Sequence, residues 1–336
     1  MPRRGRSSGA TPRHWGEKRW HLVVAAVCLS ACSRSEPPQG RRDASAAPAT
    51  ASAPSEPKPE LLYLPDGGDI GPPRSPGQGI LPGPWGFRSA RCPPDMVDVQ
   101  GRFCVDRYEA SLVELTSGRE ISPYYHPTKE MTARAYARWQ KARLESDVPE
   151  SRAMPVPAPP HWQLEQSFEP RAVSKEGVIP NGYLSADVAE QACRNAGKRL
   201  CTPDEWVTAC RGERHQKFPY GERYEQGRCN VFREAHPAMV LHGNPSINHL
   251  DPRLNQVKAG GKPLLRRTGA TPTCKSEWGQ DAIYDMVGNL DEWVDDPKGL
   301  FLGGFFSRNT REGCDSSVSA HPRQYYDYSL GVRCCK

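Results

Sequence analysis

The stretch Tyr284-Asp285-Met286-Val287-Gly288-Asn289-Leu290-Asp291-Glu292-Trp293 decides how the rest of the chain is read. It reads as a folded loop and neither as a helix nor as a strand, with the acids Asp285 and Glu292 bracketing a Gly288-Asn289 turn. That arrangement can wrap a hard cation, which takes oxygen ligands in a flexible shell. The competing reading is that an arginine or backbone N–H groups satisfy both acids and the loop is purely structural.

Outward from this loop the chain is rich in turn formers and cysteine. Its 336 residues include 34 prolines, 30 glycines and 12 cysteines, and only 37% are apolar. Such a composition fits a loop-rich fold held by crosslinks. The formal charge of +6 belongs to the N-terminus: residues 1–31 hold six Lys/Arg and one acid, which leaves 39 basic and 38 acidic residues elsewhere. A body this close to neutral gives no electrostatic reason to expect nucleic acid as a partner.

The basic start is followed by a short apolar run, residues 22–31. About ten residues cannot span a bilayer, which needs roughly 20, so the run reads as a secretion signal. It ends in Leu29-Ser30-Ala31-Cys32, which resembles a bacterial lipobox: small residues before the cut, then a cysteine that takes the lipid. Residues 1–32 are therefore expected to be a lipoprotein signal peptide closed by the lipidated Cys32. The expected location is the cell envelope, with the membrane as a partner through the lipid anchor. Ser33 stands where an aspartate would argue for inner-membrane retention, so the outer membrane is the expected destination. Residues 33–90 then read as a disordered tether, since twelve prolines among many Ala, Ser and Gly cannot bury enough apolar surface to fold. Leu61-Leu62-Tyr63-Leu64 is its short apolar patch, a candidate docking strand.

The ordered domain is expected over 91–336. Two apolar runs around Gly101 predict a β-hairpin that Cys92 and Cys104 flank and could staple. Met131, Ala135, Trp139 and Ala142 predict an amphipathic helix over 128–145 with Thr128 as N-cap. The Pro-rich 149–160 reads as a surface loop, and 116–175 as an elaboration of the domain. A second helix is expected from the N-cap Ser185 to Ala196, with Gly197 after its end. Thr202-Pro203-Asp204-Glu205 carries a full capping box and opens a third, through Arg211. From Gly212 onward turns and short strands are expected.

Seven segments now stand in order: Phe103 to Glu109, Ala196 to Trp206, Phe218-Pro219-Tyr220-Gly221, Cys229-Asn230, Tyr284 to Trp293, Leu302-Gly303-Gly304 and Gly331-Val332-Arg333-Cys334. This succession resembles the formylglycine-generating enzyme, or sulfatase-modifying factor, family over roughly residues 92–336. The resemblance implies an α+β, irregular and loop-rich domain of C-type-lectin-like fold, stapled by disulfides that contribute roughly 2–4 kcal/mol each. It also implies a structural calcium ion, held by the side chains of Asp285 and Glu292 and the carbonyls of Gly288 and Leu290. A second calcium site of the family begins at Asn230 and the carbonyl of Val231, with no clear counterpart for its other ligands between residues 232 and 282.

The enzymes of the family are oxidases that bind Cu(I) through two cysteines shortly after the Gly-Gly pair, because soft thiolates suit Cu(I). Here Arg308 occupies the first slot and Gly313 the second, one residue before Cys314. Copper is therefore not expected. The ten cysteines outside the leader and anchor point to a disulfide framework in an exported protein. The resemblance pairs Cys193 with Cys334 and Cys210 with Cys314. It leaves Cys201 with Cys335, Cys229 with Cys274 and Cys92 with Cys104 as candidate pairs, although ten cysteines allow many connectivities.

Two readings follow. The first is a tethered binding or interaction module without the oxidase site. The second is an oxidase acting on protein cysteines through a rearranged site, with Cys314 or Cys335 as its catalytic candidates. A purely structural envelope protein is a third. His236, His242 and His249 fit no metal-ligand spacing and read as exposed loop residues, while Tyr325-Tyr326-Asp327-Tyr328 reads as packing or as a pocket wall.

Overall fold

The computed structural model describes residues 92–231, 235–308 and 310–336. Cys32, the tether and its apolar patch lie outside the described residues.

Two four-stranded sheets share the C-terminal segment. Strands Met96–Val99 and Phe103–Asp106 form the hairpin, with Val97 opposite Val105. Its turn passes through Gln100 and Gly101, whose φ of 59° and 67° supply the left-handed backbone a tight turn needs. All four residues of Phe103–Asp106 are buried, because Cys334–Cys335 pairs on its other side and carries Arg199–Leu200 beyond. The second sheet runs Ser317–Val318, Phe301–Leu302, Asp291–Trp293, Leu330–Val332. Its last pair is parallel, with Glu292 opposite Gly331. Arg333 thus lies between the strand that closes one sheet and the strand that enters the other, and it is fully buried there.

Disulfides lock this joint. The five bridges are Cys92–Cys104, Cys193–Cys334, Cys201–Cys335, Cys210–Cys314 and Cys229–Cys274. Two of them tie the C-terminal Cys334 and Cys335 to Cys193, in the last turn of the helix Ala186–Asn195, and to Cys201, just before the helix Pro203–Arg211. Sequence separations of 141 and 134 residues make these large loops, whose closure removes much of the unfolded chain's freedom.

The helices are α1 (Lys129–Leu144), α2 (Pro149–Ala153), α3 (His161–Glu165), α4 (Ala186–Asn195), α5 (Pro203–Arg211) and α6 (Pro237–His242). Ser185 caps α4 by accepting the Val188 N–H, and Gly197 follows the helix at a φ of 69°. Thr202 and Glu205 form both bonds of the capping box on α5. α4 buries Ala189, Ala192 and Cys193, and α5 buries Trp206, Ala209 and Cys210. These are the faces that meet the sheets.

Three expectations need correction. Thr128 precedes α1 but its side chain caps nothing; the hydroxyl lies 3.5 Å from His126 Nδ1 instead. The Pro-rich 149–160 is not a bare loop, since α2 starts there at Pro149. The turn-rich region after 212 contains α6, which starts at Pro237. Both helices open on a proline, whose missing N–H costs nothing in the first turn. Among the described residues no helix is long and apolar enough to cross a membrane.

Candidate functional site

The 284–293 stretch is a loop only in its middle, a correction to its reading as neither helix nor strand: Tyr284 ends the strand Asp281–Tyr284 and Asp291–Trp293 is a strand of the second sheet. Asp285 and Asn289 hold φ of 60° and 62°, a region that Asn and Asp tolerate better than most residues. Gly288 has no alternative: a Cβ there would sit 2.5 Å from the Asn230 carbonyl oxygen. Asn289 is the hub. Its Oδ1 accepts from Asn230 Nδ2 and from the Arg266 N–H, both at 2.9 Å. Its Nδ2 donates to Glu109 Oε2 at 2.6 Å and to the Arg266 carbonyl at 3.2 Å.

Around this hub three carboxylates share one guanidinium. Glu292 receives Arg333 Nη2 on Oε1 at 2.9 Å, and Arg333 Nε and Trp206 Nε1 on Oε2 at 3.1 and 2.6 Å. Asp285 Oδ2 accepts the Gly269 N–H at 2.7 Å, and Glu109 Oε1 accepts the Leu290 N–H at 3.0 Å. Arg333 also donates to the carbonyls of Asp106 and Tyr284. All four charged groups are buried. Burial, then the charges of Asp285 and Glu292, push the Glu109 carboxyl well above its ordinary range. Burial raises Asp285 to about 7.

Arg333 and Trp206 satisfy Glu292 and the Gly269 N–H satisfies one site on Asp285, as the purely structural reading expects, and the acceptor sites left for a cation lie chiefly on Asp285. A carboxylate offers about four lone-pair sites. The N–H contacts above occupy three on Glu292 and one on Asp285. Among the described residues no three His, Cys, Asp or Glu side chains gather as a metal site. An ion would rest instead on Asp285 and Glu292 with the carbonyls of Gly288 and Leu290. Asn230, first residue of the second candidate site, has its Oδ1 buried with no hydrogen-bond partner. Val231 is the last residue described before 235.

The two positions that the resemblance assigned to copper cysteines hold Arg308 and Gly313. Arg308 Nη2 lies 2.5 Å from Oδ1 of Asp291, which also accepts the Gly304 N–H at 2.9 Å. Asp291 is 1% exposed, its Oδ2 has no hydrogen-bond partner, and burial raises its carboxyl to about 7 against the pull of Arg308. Gly303 and Gly304 are required here, because a Cβ on either would meet the Met286 carbonyl at 2.7 Å or Thr310 Oγ1 at 2.1 Å. At the second slot Gly313 has a φ of 63°, and a Cβ would sit 2.3 Å from the Lys217 carbonyl. A cysteine does not fit there without moving backbone. Cys314 is bonded to Cys210 and Cys335 to Cys201, so neither catalytic candidate presents a thiol.

The three histidines are not bare loop residues. His236 Nδ1 caps α6 by accepting the Ala238 N–H, and its Nε2 lies 3.1 Å from the Tyr328 hydroxyl. His242 Nε2 lies 3.1 Å from the buried Asp251, and His249 Nε2 lies 2.8 Å from the Pro245 carbonyl. His236 and His249 both pack against the Tyr328 ring, whereas His242 goes to Asp251. Of the tyrosine run, Tyr328 packs on Phe305 and Phe306, whereas Tyr326 borders a cavity. Glu109, Arg333 and the Asp291–Arg308 pair are site residues that spacing did not single out. The available signal was a charge inside an apolar strand, as in Asp291-Glu292-Trp293 and Gly331-Val332-Arg333.

Comparison with known proteins matches residues 88–300 to the sulfatase-modifying factor enzyme 1-like domain. The match ends before the Arg308 loop. Over 144 residues the chain is 23% identical to the inactive C-alpha-formylglycine-generating enzyme 2 of Mus musculus, covering 41% of this chain and 39% of that protein. The Bos taurus protein of the same name is 26% identical over 122 residues, covering 34% and 32%. The chain therefore spans about a third to two-fifths of these relatives. Among solved structures, CarF aligns at 12% identity with a TM-score of 0.33, covering 70% of this chain and 86% of CarF. PvdO from Pseudomonas aeruginosa aligns at 14% with a TM-score of 0.30, covering 69% and 79%. Both scores are too low to carry an argument about the fold. The family match, which takes in well over half of the chain, makes this protein a member of the sulfatase-modifying factor enzyme 1-like domain family.

Proposed function

We propose that this chain is an exported, lipid-anchored member of the family that has lost copper-dependent oxidation and works as a binding or interaction module. One observation carries the reading: the first copper-cysteine position is Arg308, engaged on the buried Asp291. The surroundings agree with it. Gly313 leaves no space for a second thiolate, and all ten cysteines of the described residues are bridged. The names of the two curated relatives point the same way. Leu29-Ser30-Ala31-Cys32 supports the lipid anchor. A rigid disulfide-stapled base that presents irregular loops suits recognition. A calcium ion at the turn, held by Asp285 and Glu292 with the Gly288 and Leu290 carbonyls, would supply positive charge to a buried acidic cluster and brace the loop.

The test is oxygen uptake by the mature protein given Cu(I) and a cysteine-containing peptide, alongside a thiol count on denatured, unreduced protein. The expected results are no copper-dependent uptake and no free thiol. Copper-dependent consumption of oxygen with conversion of the peptide cysteine would overturn the reading in favour of an oxidase with a rearranged site.

A further inference from the structure

A cavity with a volume of 60 Å³ lies between α1 and the body of the domain, away from both arginine–carboxylate pairs. Tyr125, His126, Trp139 and Tyr326 are among its walls, and Arg134 and Arg138 also line it, the Arg138 guanidinium 5.2 Å from the centre of the Trp139 ring. The two arginines are one turn apart on α1 and both are exposed. Like charges at that spacing disfavour a helix. Neither has a carboxylate within ion-pair distance among the described residues, and no Asp or Glu lines the cavity. Burial lowers the His126 pKa to about 4, so the ring is neutral at pH 7 and the cavity's charge comes from the two guanidinium groups.

The walls are fixed before any ligand arrives. Tyr125 donates its hydroxyl to the Pro157 carbonyl at 2.5 Å, and Tyr326 rests on His126 at a ring-centroid distance of 4.6 Å. Tyr183, also on the lining, holds a φ of 61° while its hydroxyl donates to the Asp251 carbonyl. A bulky residue in the left-handed region is uncommon, and such strain collects at ligand sites. The enclosed space holds about four waters at roughly 15 Å³ each. It therefore takes one short anionic group with the edge of a ring, and leaves the rest of a larger molecule outside.

We propose that this cavity binds small aromatic carboxylates, with the carboxylate between Arg134 and Arg138 and the ring against Trp139 and Tyr326. Planar guanidinium groups match a carboxylate in a two-pronged contact, and aromatic walls favour a flat ring. The proposal does not depend on whether the Arg308 loop oxidises anything, so its failure and the failure of the functional reading above are separate results.

The test is calorimetric titration of the full-length protein with phenylacetate, indole-3-acetate, phenylacetamide and acetate. The aromatic acids are expected to bind at least about tenfold more tightly than either the neutral amide or the ringless acid. The double variant Arg134→Gln/Arg138→Gln should weaken the acids by about tenfold or more. Both side chains are exposed and relieving their repulsion does not weaken the helix, so its melting temperature should not fall below the parent's and a folding defect is separable from a binding one. Equal binding of phenylacetamide, unchanged affinity in the double variant, or no heat from either aromatic acid at millimolar concentration would each overturn the assignment.

Discussion

Strand Asp291–Trp293 places two acids side by side on opposite faces, and each meets an arginine. On one face Arg333 grips Glu292 through two bonds, with the pair 0% and 1% exposed and Trp206 donating to the same carboxylate. On the other face Arg308 touches Asp291 through one nitrogen, with the arginine 26% exposed and Asp291 Oδ2 left without a partner. The first pair is tied into both sheets and behaves as scaffold. The second is incompletely satisfied and open to solvent on one side. Neighbouring residues of one strand thus serve stability and site separately, because a strand sends alternate side chains to different environments.

The largest expected effect breaks the scaffold pair. Arg333→Met leaves Glu292, Glu109 and Asp285 buried without their shared cation, and should cost about 3–5 kcal/mol in urea unfolding. Arg308→Met should cost roughly 1 kcal/mol, since Asp291 is able to take up a proton instead. Comparable losses in the two variants would erase the distinction between the faces. Calcium gives the next largest effect. At a free concentration about 100 times its Kd, an ion held by the turn stabilises the fold by about 2.7 kcal/mol, and Asp285→Asn should abolish the shift in melting temperature. Identical melting in calcium and in chelator would leave Arg333 to serve the turn without an ion.

The smallest effect sharpens the site face. The folded Asp291 carboxyl titrates at about 7 against a reference of 3.8. Between those values the unfolded chain loses its proton first, so this group's contribution to stability is complete below about pH 4, declines as pH rises and is lost above about 7. Asp285, raised to about 7, acts in the same window. Asp291→Asn should therefore raise stability at pH 8 by about 1 kcal/mol, or roughly 2–4 °C in melting temperature, and change little at pH 4. An equal gain at both pH values would mean that the ionised carboxylate is not the source of the cost.

Local signals proved legible where the interaction is itself local. The capping box at Thr202 and Glu205, the Ser185 cap and the hairpin around Gly101 each join residues within a few positions, and each is present in the structure. Pro149 misled because a proline reads alike as a breaker and as a first-turn residue until the following backbone is known. His236 and His242 looked like loop residues because their partners, Tyr328 and Asp251, lie 92 and 9 residues away in sequence.

The amino-acid sequence by itself determined the family, through an ordered succession of short segments, and the absence of a cysteine from positions 308 and 313. Those are matters of residue identity. Only the tertiary structure decided what stands there instead. It brought Arg308 onto Asp291 across 17 residues, Arg333 onto Glu292 across 41, and Glu109 onto Asn289 across 180. Charge pairing in a buried site depends on which groups share a low-dielectric volume, and in a fold with so little regular structure no periodicity in the chain reports that.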